Sequence, residues 1–260
     1  MADQKKCVVL LTTGKPLANI VTNYLHSVFP NLIVIREPSE SKAEIIKRRV
    51  RLVGLVETAG QVAAGLILRI VGKVSRVRIL EICRESGLDT GQPEILQRNL
   101  HLVSSLNSQS TRDLLHQIQP DVVAVYGTRI IGRKTLRSVA APFINYHAGI
   151  NPKYRGQHPA YWAIASRDCP NVGVTVHLVD EGVDTGAVIY QAPVRMTEKD
   201  NITTYQYVQM ATALPLFSQA IEDGLNKRLA LQQHDDLPSC NWFPPTIWRY
   251  VWNGVVKGIW

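Results

Sequence analysis

The chain opens with a short apolar run, Lys6 through Thr12, with Val8 to Leu11 at its centre. Such an unbroken run suits a parallel strand buried on both faces. Thr13-Gly14 ends it, and Leu17, Ile20, Val21, Leu25 and Val28 then recur at helical spacing across residues 17–29. Residues 32–35 predict a second strand, so the opening is β-α-β. That order predicts an α/β fold: a Rossmann-like, doubly wound and mostly parallel sheet. Gly14 stands alone after the first strand, with no G-x-G-x-x-G, and a dinucleotide cofactor is not predicted. Further on, the pattern predicts a short strand at 101–106, a helix at 110–117 and a central strand at 121–126. Residues 174–179 read as another strand, and Asp180-Glu181-Gly182 as the turn that carries Asp184 off its end. A long helix is expected over 202–224, with Thr203 or Thr204 near its start. Residues 229–233 read as an edge strand. The tail, 227–260, forms a short aromatic-rich extension to a catalytic unit spanning 1–226; it carries Trp242, Trp248, Tyr250, Trp252 and Trp260.

Residues 41–74 are helical in character but ambiguous in role. Lys47-Arg48-Arg49-Val50-Arg51 precedes an apolar stretch that Glu57, Gln61 and Arg69 interrupt. Arg51, Glu57 and Arg69 leave no uncharged run near the ~20 residues of a membrane-crossing helix. Three readings stay open: helices packed on the sheet or on a subunit partner as in a homodimer, a basic amphipathic membrane-surface segment, and a patch for an anionic ligand. Charge sharpens this picture. Of the net +8, nine Lys/Arg and two Glu between Lys42 and Arg78 supply +7. The positive charge is a local patch, and no nucleic acid partner is predicted from it.

With 260 residues, 45% hydrophobic and 19% charged, the chain can bury one sizeable core of ordinary globular composition. Residues 1–6 lead directly into the first strand, which is too short for a signal-peptide apolar region. Cys7, Cys83, Cys169 and Cys240 are far apart with no C-x-x-C, which fits a reduced, cytoplasmic setting better than a disulfide framework. The seven histidines show no metal-ligand spacing, so no metal is expected.

The candidate chemistry lies in residues 145–184. Asn145 and His147 are two apart, and in an extended segment their side chains share a face. Together with Asp184 they offer an amide donor, an imidazole and a carboxylate, groups that handle protons or a developing oxyanion. Asn145-x-His147, the loop Pro152-Lys153-Tyr154-Arg155-Gly156, and His177 seven residues before Asp184 within Val179-Asp180-Glu181-Gly182-Val183-Asp184-Thr185-Gly186 resemble the folate-dependent formyltransferase family. That family includes glycinamide ribonucleotide, methionyl-tRNA and amino-sugar formyltransferases. The likeness covers roughly residues 120–195, and the first hundred residues only in their βα character.

The resemblance implies transfer of a formyl group from 10-formyltetrahydrofolate to an amine. It casts Asn145 and His147 as donors to the oxyanion and Asp184 as the group that favours the imidazolium and accepts the amine proton. His177 would support them. Arg129, Ile130 and Ile131, after the central strand, would surround the pterin together with Val179, Asp180, Glu181 and Val183. Lys153, Tyr154, Arg155, Tyr161 and Trp162 would meet the acceptor, although Tyr161 and Trp162 also read as the start of a core-packed helix. One departure stands out: Ala148-Gly149-Ile150-Asn151-Pro152 replaces a Ser-Leu-Leu-Pro type segment beside the acceptor pocket. The expected acceptor is a small amine, with a nucleotide-linked amino sugar ahead of glycinamide ribonucleotide or a hydroxyornithine. A methionyl-tRNA acceptor is not expected, since little chain follows the long helix. A non-catalytic folate- or nucleotide-binding protein is the competing class.

Overall fold

The computed structural model describes residues 6–232 and 238–260. In chain order it contains β1 (Val8–Thr13), α1 (Pro16–Val28), β2 (Ile33–Glu37), α2 (Lys42–Val53), α3 (Leu55–Val74), α4 (Arg76–Glu85), β3 (Leu100–Leu102), α5 (Gln109–Ile118), β4 (Val122–Tyr126) and α6 (Arg133–Leu136). Then follow β5 (Phe143–His147), β6 (Arg155–Gly156), α7 (Pro159–Ala165), β7 (Gly173–Leu178), β8 (Val188–Pro193), α8 (Tyr205–Leu225), β9 (Asn241–Trp242) and α9 (Ile247–Lys257). Seven strands form one sheet in the order β3-β2-β1-β4-β5-β7-β8; the first five are parallel, and β7 and β8 run antiparallel at the far side. The strand order reverses between β1 and β4, which places a crevice at their carboxyl ends.

Alternation along β1 divides the core. Val8 and Leu10 pack on one side with α1 and α8; Val9 and Leu11 pack on the other with Leu106, Leu115 and Ile131. Helix α8 buries Met210, Ala213, Leu214, Phe217, Ala220 and Ile221, a stripe at helical spacing that lies over β5, β7 and β8. Each fully buried leucine or phenylalanine there contributes about 1.5–3 kcal/mol. A third cluster joins Tyr154 and α7 to Tyr205 and Tyr250.

Several sequence expectations shift here. The helical stretch from residue 41 is two helices, α2 and α3, hinged at Gly54. Helix α2 starts with a capping box, in which the Glu44 amide donates to Ser41 Oγ at 3.2 Å and the Ser41 amide to Glu44 Oε2 at 3.0 Å. Strand β8 and helices α4 and α9 were not anticipated. The expected edge strand at 229–233 is reduced to a single bridge, Gln232 to Val188, and Gln233 lies outside the described residues. The aromatic tail folds back on the body: β9 pairs with β6, and α9 packs along α3.

Candidate active site

Strand β5 places Asn145 and His147 on one face at its carboxyl end. Asn145 sits beside Val125 of β4 and opposite His177 of β7. The turn after β7 folds back over this face and delivers Asp184, whose backbone has a left-handed φ of 52°. Asp tolerates that region better than most residues, and its occupancy is a mark of functional loops. Two further groups fix it. Asn151 Nδ2 donates to the Asp184 carbonyl at 2.9 Å, and the Gly156 amide donates to Asp184 Oδ2 at 3.2 Å. Gly156 has φ 88°, and any side chain there would collide with Asn241 and the Trp242 backbone. Glycine is therefore needed for β6 to approach β9 this closely.

His147 is buried, with Nδ1 3.3 Å from Asp184 Oδ2 and Nε2 2.8 Å from the Tyr154 carbonyl. A neutral imidazole has one N–H and satisfies one of these acceptors; an imidazolium satisfies both. Burial is the larger influence and lowers the imidazole's proton affinity below its ordinary value, while the Asp184 carboxylate and Tyr154 carbonyl oppose it. Gly149 makes the arrangement sterically feasible, since a Cβ there would be 2.6 Å from His147 Nε2. Burial pushes the Asp184 carboxyl upward, but His147, His177 and the Gly156 amide together hold it well below the usual carboxylate range.

His177 Nδ1 lies 2.7 Å from the Leu178 carbonyl and carries a proton, so in the neutral ring Nε2 is an acceptor; the same Nε2 is 3.6 Å from Asp184 Oδ1, which it can serve as donor only in the imidazolium form. That acceptor faces Asn145 Nδ2 at 3.1 Å. The contact orients the Asn145 amide and leaves its second N–H free. This is the contact that the supporting role expected of His177 would use.

The residues assigned to the folate separate into distinct environments. Arg129 is tied to Glu37, its guanidinium at 2.6 Å and its amide at 3.1 Å, and Glu37 is almost wholly buried. Ile131 is in the core, while Ile130 is 59% exposed and free to meet a ligand. Val179 continues the sheet by donating to the Phe143 carbonyl. Asp180 closes its own turn by accepting from the Gly182 amide and Thr185 Oγ1, and the Val183 carbonyl accepts from Arg155 Nη1. Glu181 pairs with Arg133 at 3.1 Å, joining the two segments expected to flank the pterin.

The acceptor residues require a correction. Tyr161 is fully buried and Trp162 is 7% exposed; Trp162 stacks on Trp242 at 4.8 Å, meets Tyr161 edge-on at 5.2 Å and donates Nε1–H to the Phe243 carbonyl. Tyr154 is 2% exposed, stacks on Trp242 and donates its hydroxyl to Asp168. These three rings are covered by protein and offer no open stacking face. Lys153 and Arg155 remain partly exposed, Lys153 paired with Asp168 at 2.6 Å and Arg155 Nε with Ser239 Oγ at 2.9 Å.

Two residues that support the site escaped the sequence reading. Glu37 ends β2 with no motif to mark it. Asn151 lies at the departure after His147: its amide donates to Thr175 Oγ1, its side chain to Asp184, and its carbonyl accepts from Gln191. The departure itself was the available signal.

The geometry describes an α/β protein with an amide, an imidazole and a carboxylate converging at the carboxyl end of β5, between β4 and the antiparallel β7. The family described as Formyl transferase matches residues 85–220, just over half of the chain, and the chain belongs to that family. A methionyl-tRNA formyltransferase of Pelotomaculum thermopropionicum is 38% identical over 111 residues, which is 42% of this chain and 35% of that protein. The chain thus aligns with about a third of the length of such relatives. A solved sugar N-formyltransferase from a Shewanella species superposes with a TM-score of 0.55 at 18% identity, covering 92% of this chain and 77% of the other. Glycinamide ribonucleotide transformylase 1 from Symbiobacterium toebii gives 0.55 at 17% identity, covering 88% and 92%. These structures share the fold.

The depressed Asp184 carboxyl has a consequence for stability. The folded state binds this proton less readily than the unfolded chain, so the group stabilises the fold above the ordinary carboxylate value of about 3.9. We expect that contribution to fade as pH falls through that range toward the folded value. Urea unfolding at stepped pH should show an acid-side loss in the wild type that is smaller in Asp184→Asn.

Proposed function

We propose that this chain transfers a formyl group from 10-formyltetrahydrofolate to the amine of a small acceptor, a nucleotide-linked amino sugar. One observation carries the reaction class. Asn145, His147 and Asp184 meet within hydrogen-bonding range of one another's neighbours, in a protein of the Formyl transferase family. The folate supplies the formyl group. It would lie between residues 127–132 and the turn 179–184, where the exposed Ile130 offers an apolar wall for a flat ring and the Arg133–Glu181 pair spans the two segments.

The chain's own groups divide the work. The free N–H of Asn145, steadied by His177, donates to the oxygen that gains negative charge, a contact worth about 3 kcal/mol in the transition state. The buried His147–Asp184 pair shares one proton, and the proton given up by the attacking amine can pass to this pair, directly or through water, and on to the folate nitrogen as that nitrogen's bond to the formyl carbon breaks. His147 acts through Asp184, since both ring nitrogens face groups of the protein.

The acceptor reading rests on Lys153 and Arg155, the two cations that border the site from the loop after β5. It gains no stacking support from Tyr154, Tyr161 or Trp162. The test is formylation of UDP- and dTDP-linked amino sugars beside glycinamide ribonucleotide, N-hydroxyornithine and methionyl-tRNA, with 10-formyltetrahydrofolate as donor. Preferred turnover of a nucleotide-linked sugar is the expected result. Preference for any other amine refutes the sugar assignment, and no turnover with all of them refutes the reaction.

A further inference from the structure

Helix α3 is amphipathic in the reverse of the usual sense. The side turned toward the protein buries Thr58, Gly60, Gln61 and Ala64, which are small or polar. The side turned outward carries Leu55 and Val56, each 71% exposed, Leu66 at 57%, Ile70 at 63% and Val74 at 78%. Helix α9 turns Tyr250, Asn253 and Gly254 inward and likewise leaves a large apolar face outside, with Trp252, Val255 and Val256 63%, 72% and 57% exposed. The two helices are neighbours, and Trp248 of α9 lies against Gly60 of α3. Their apolar faces thus border one another on the surface. Contiguous exposed apolar area of this kind marks an interaction site rather than ordinary surface scatter.

Charge identifies the occupant. The exposed charged residues of α3 and α9 are Arg69, Lys73, Arg249 and Lys257, all cationic, with Lys257 Nζ donating to the Ala165 carbonyl at 2.7 Å; the carboxylates nearby are the half-buried Glu57 of α3 and Glu81 and Glu85 on the neighbouring α4. The preceding helix, α2, adds exposed Lys47 and Arg51 beyond its first-turn Glu44. A second copy of the chain would set this positive surface against itself, and like charges at an interface oppose association. An anionic bilayer satisfies every feature: acyl chains for the apolar face, acidic headgroups for the cations, and an interface suited to Trp248, Trp252 and Trp260. Lysine and arginine within the apolar face can extend their long stems toward the headgroups.

We infer that the α3–α9 face seats the protein on an anionic lipid membrane. With 20 residues, α3 is long and apolar enough to cross a bilayer. Its inner side is nevertheless taken up by the protein, with Gly60 against Trp248 and Gly72 near Thr203, so the helix lies along the membrane plane. The inference is independent of which amine the site formylates.

The experiment is vesicle flotation of the full chain with phosphatidylcholine alone and with phosphatidylcholine plus phosphatidylglycerol, at low and high salt. A Leu66→Glu/Ile70→Glu variant runs beside it, and light scattering reports oligomeric state. Both side chains are mostly exposed, so the variant should keep its circular dichroism spectrum and its activity on a soluble amine. The expected result is salt-sensitive flotation with the anionic vesicles only, reduced at least tenfold in the variant. Absence of flotation, equal flotation with neutral vesicles, or flotation unchanged by the substitutions would overturn the inference. A wild-type dimer that the substitutions dissociate, without vesicle binding, would instead assign the face to a second copy and equally overturn it.

Discussion

His147→Ala is expected to fold as the wild type does and to lose at least ~10²-fold in turnover, the scale of a positioned acid or base. Asp184→Asn should fall in the same range. Asparagine tolerates the left-handed backbone at this position, so that substitution removes the charge while sparing the turn. Asn145→Ala should cost ~10²–10³-fold through the lost oxyanion donor. Because His147 uses both ring nitrogens within the protein, the effects of His147→Ala and Asp184→Asn should be far from additive. Steady-state kinetics with 10-formyltetrahydrofolate, paired with thermal unfolding of each variant, decide the matter. Near-full activity in His147→Ala would reject the proposed chemistry.

The second large effect is expected far from any reacting atom. Glu37 accepts from the Arg129 guanidinium and amide and from the buried Leu106 amide at 3.1 Å. Glu37→Ala would leave those donors unpaired. Breaking a buried charge pair costs about 3–5 kcal/mol, and partial exposure of Arg129 brings the expected loss to about 2–3 kcal/mol. Since Arg129 anchors residues 127–132, the KM for the folate should rise more than kcat falls. Urea unfolding and donor-dependent kinetics measure the two consequences. An unchanged unfolding midpoint would show that Glu37 does not carry this segment.

The strands of the parallel half were legible because each is a short apolar run between turn residues, as in Val8–Leu11 and Val122–Tyr126. Asn145 and His147 were legible as a pair because strand geometry fixes the relation of residues two apart. Strand β8 escaped because Val-Ile-Tyr-Gln-Ala-Pro is apolar only at its start and exposed further along. Helix α3 resisted reading for the opposite reason: its most exposed residues are large and apolar while Thr58, Gly60, Gln61 and Ala64 are buried, so hydrophobic pattern alone assigns the wrong side to the interior. Tyr161 and Trp162 looked like open platforms because the stretch that covers them, residues 242–250, is some eighty residues away. The supports of Asp184, Asn151 and Gly156, lie 33 and 28 residues before it, with no local pattern to join them.

The β6–β9 ladder bears on how this protein is made. The Arg155 amide donates to the Cys240 carbonyl and the Gln157 amide to the Trp242 carbonyl, and between them Gly156 presents its amide to Asp184. Residues 241–242 leave the ribosome long after Asn145, His147 and Asp184. A nascent chain can therefore assemble the sheet and all three polar groups while the loop that steadies the carboxylate still lacks its partner strand. Completion of the site waits until residues 241–242 have been made.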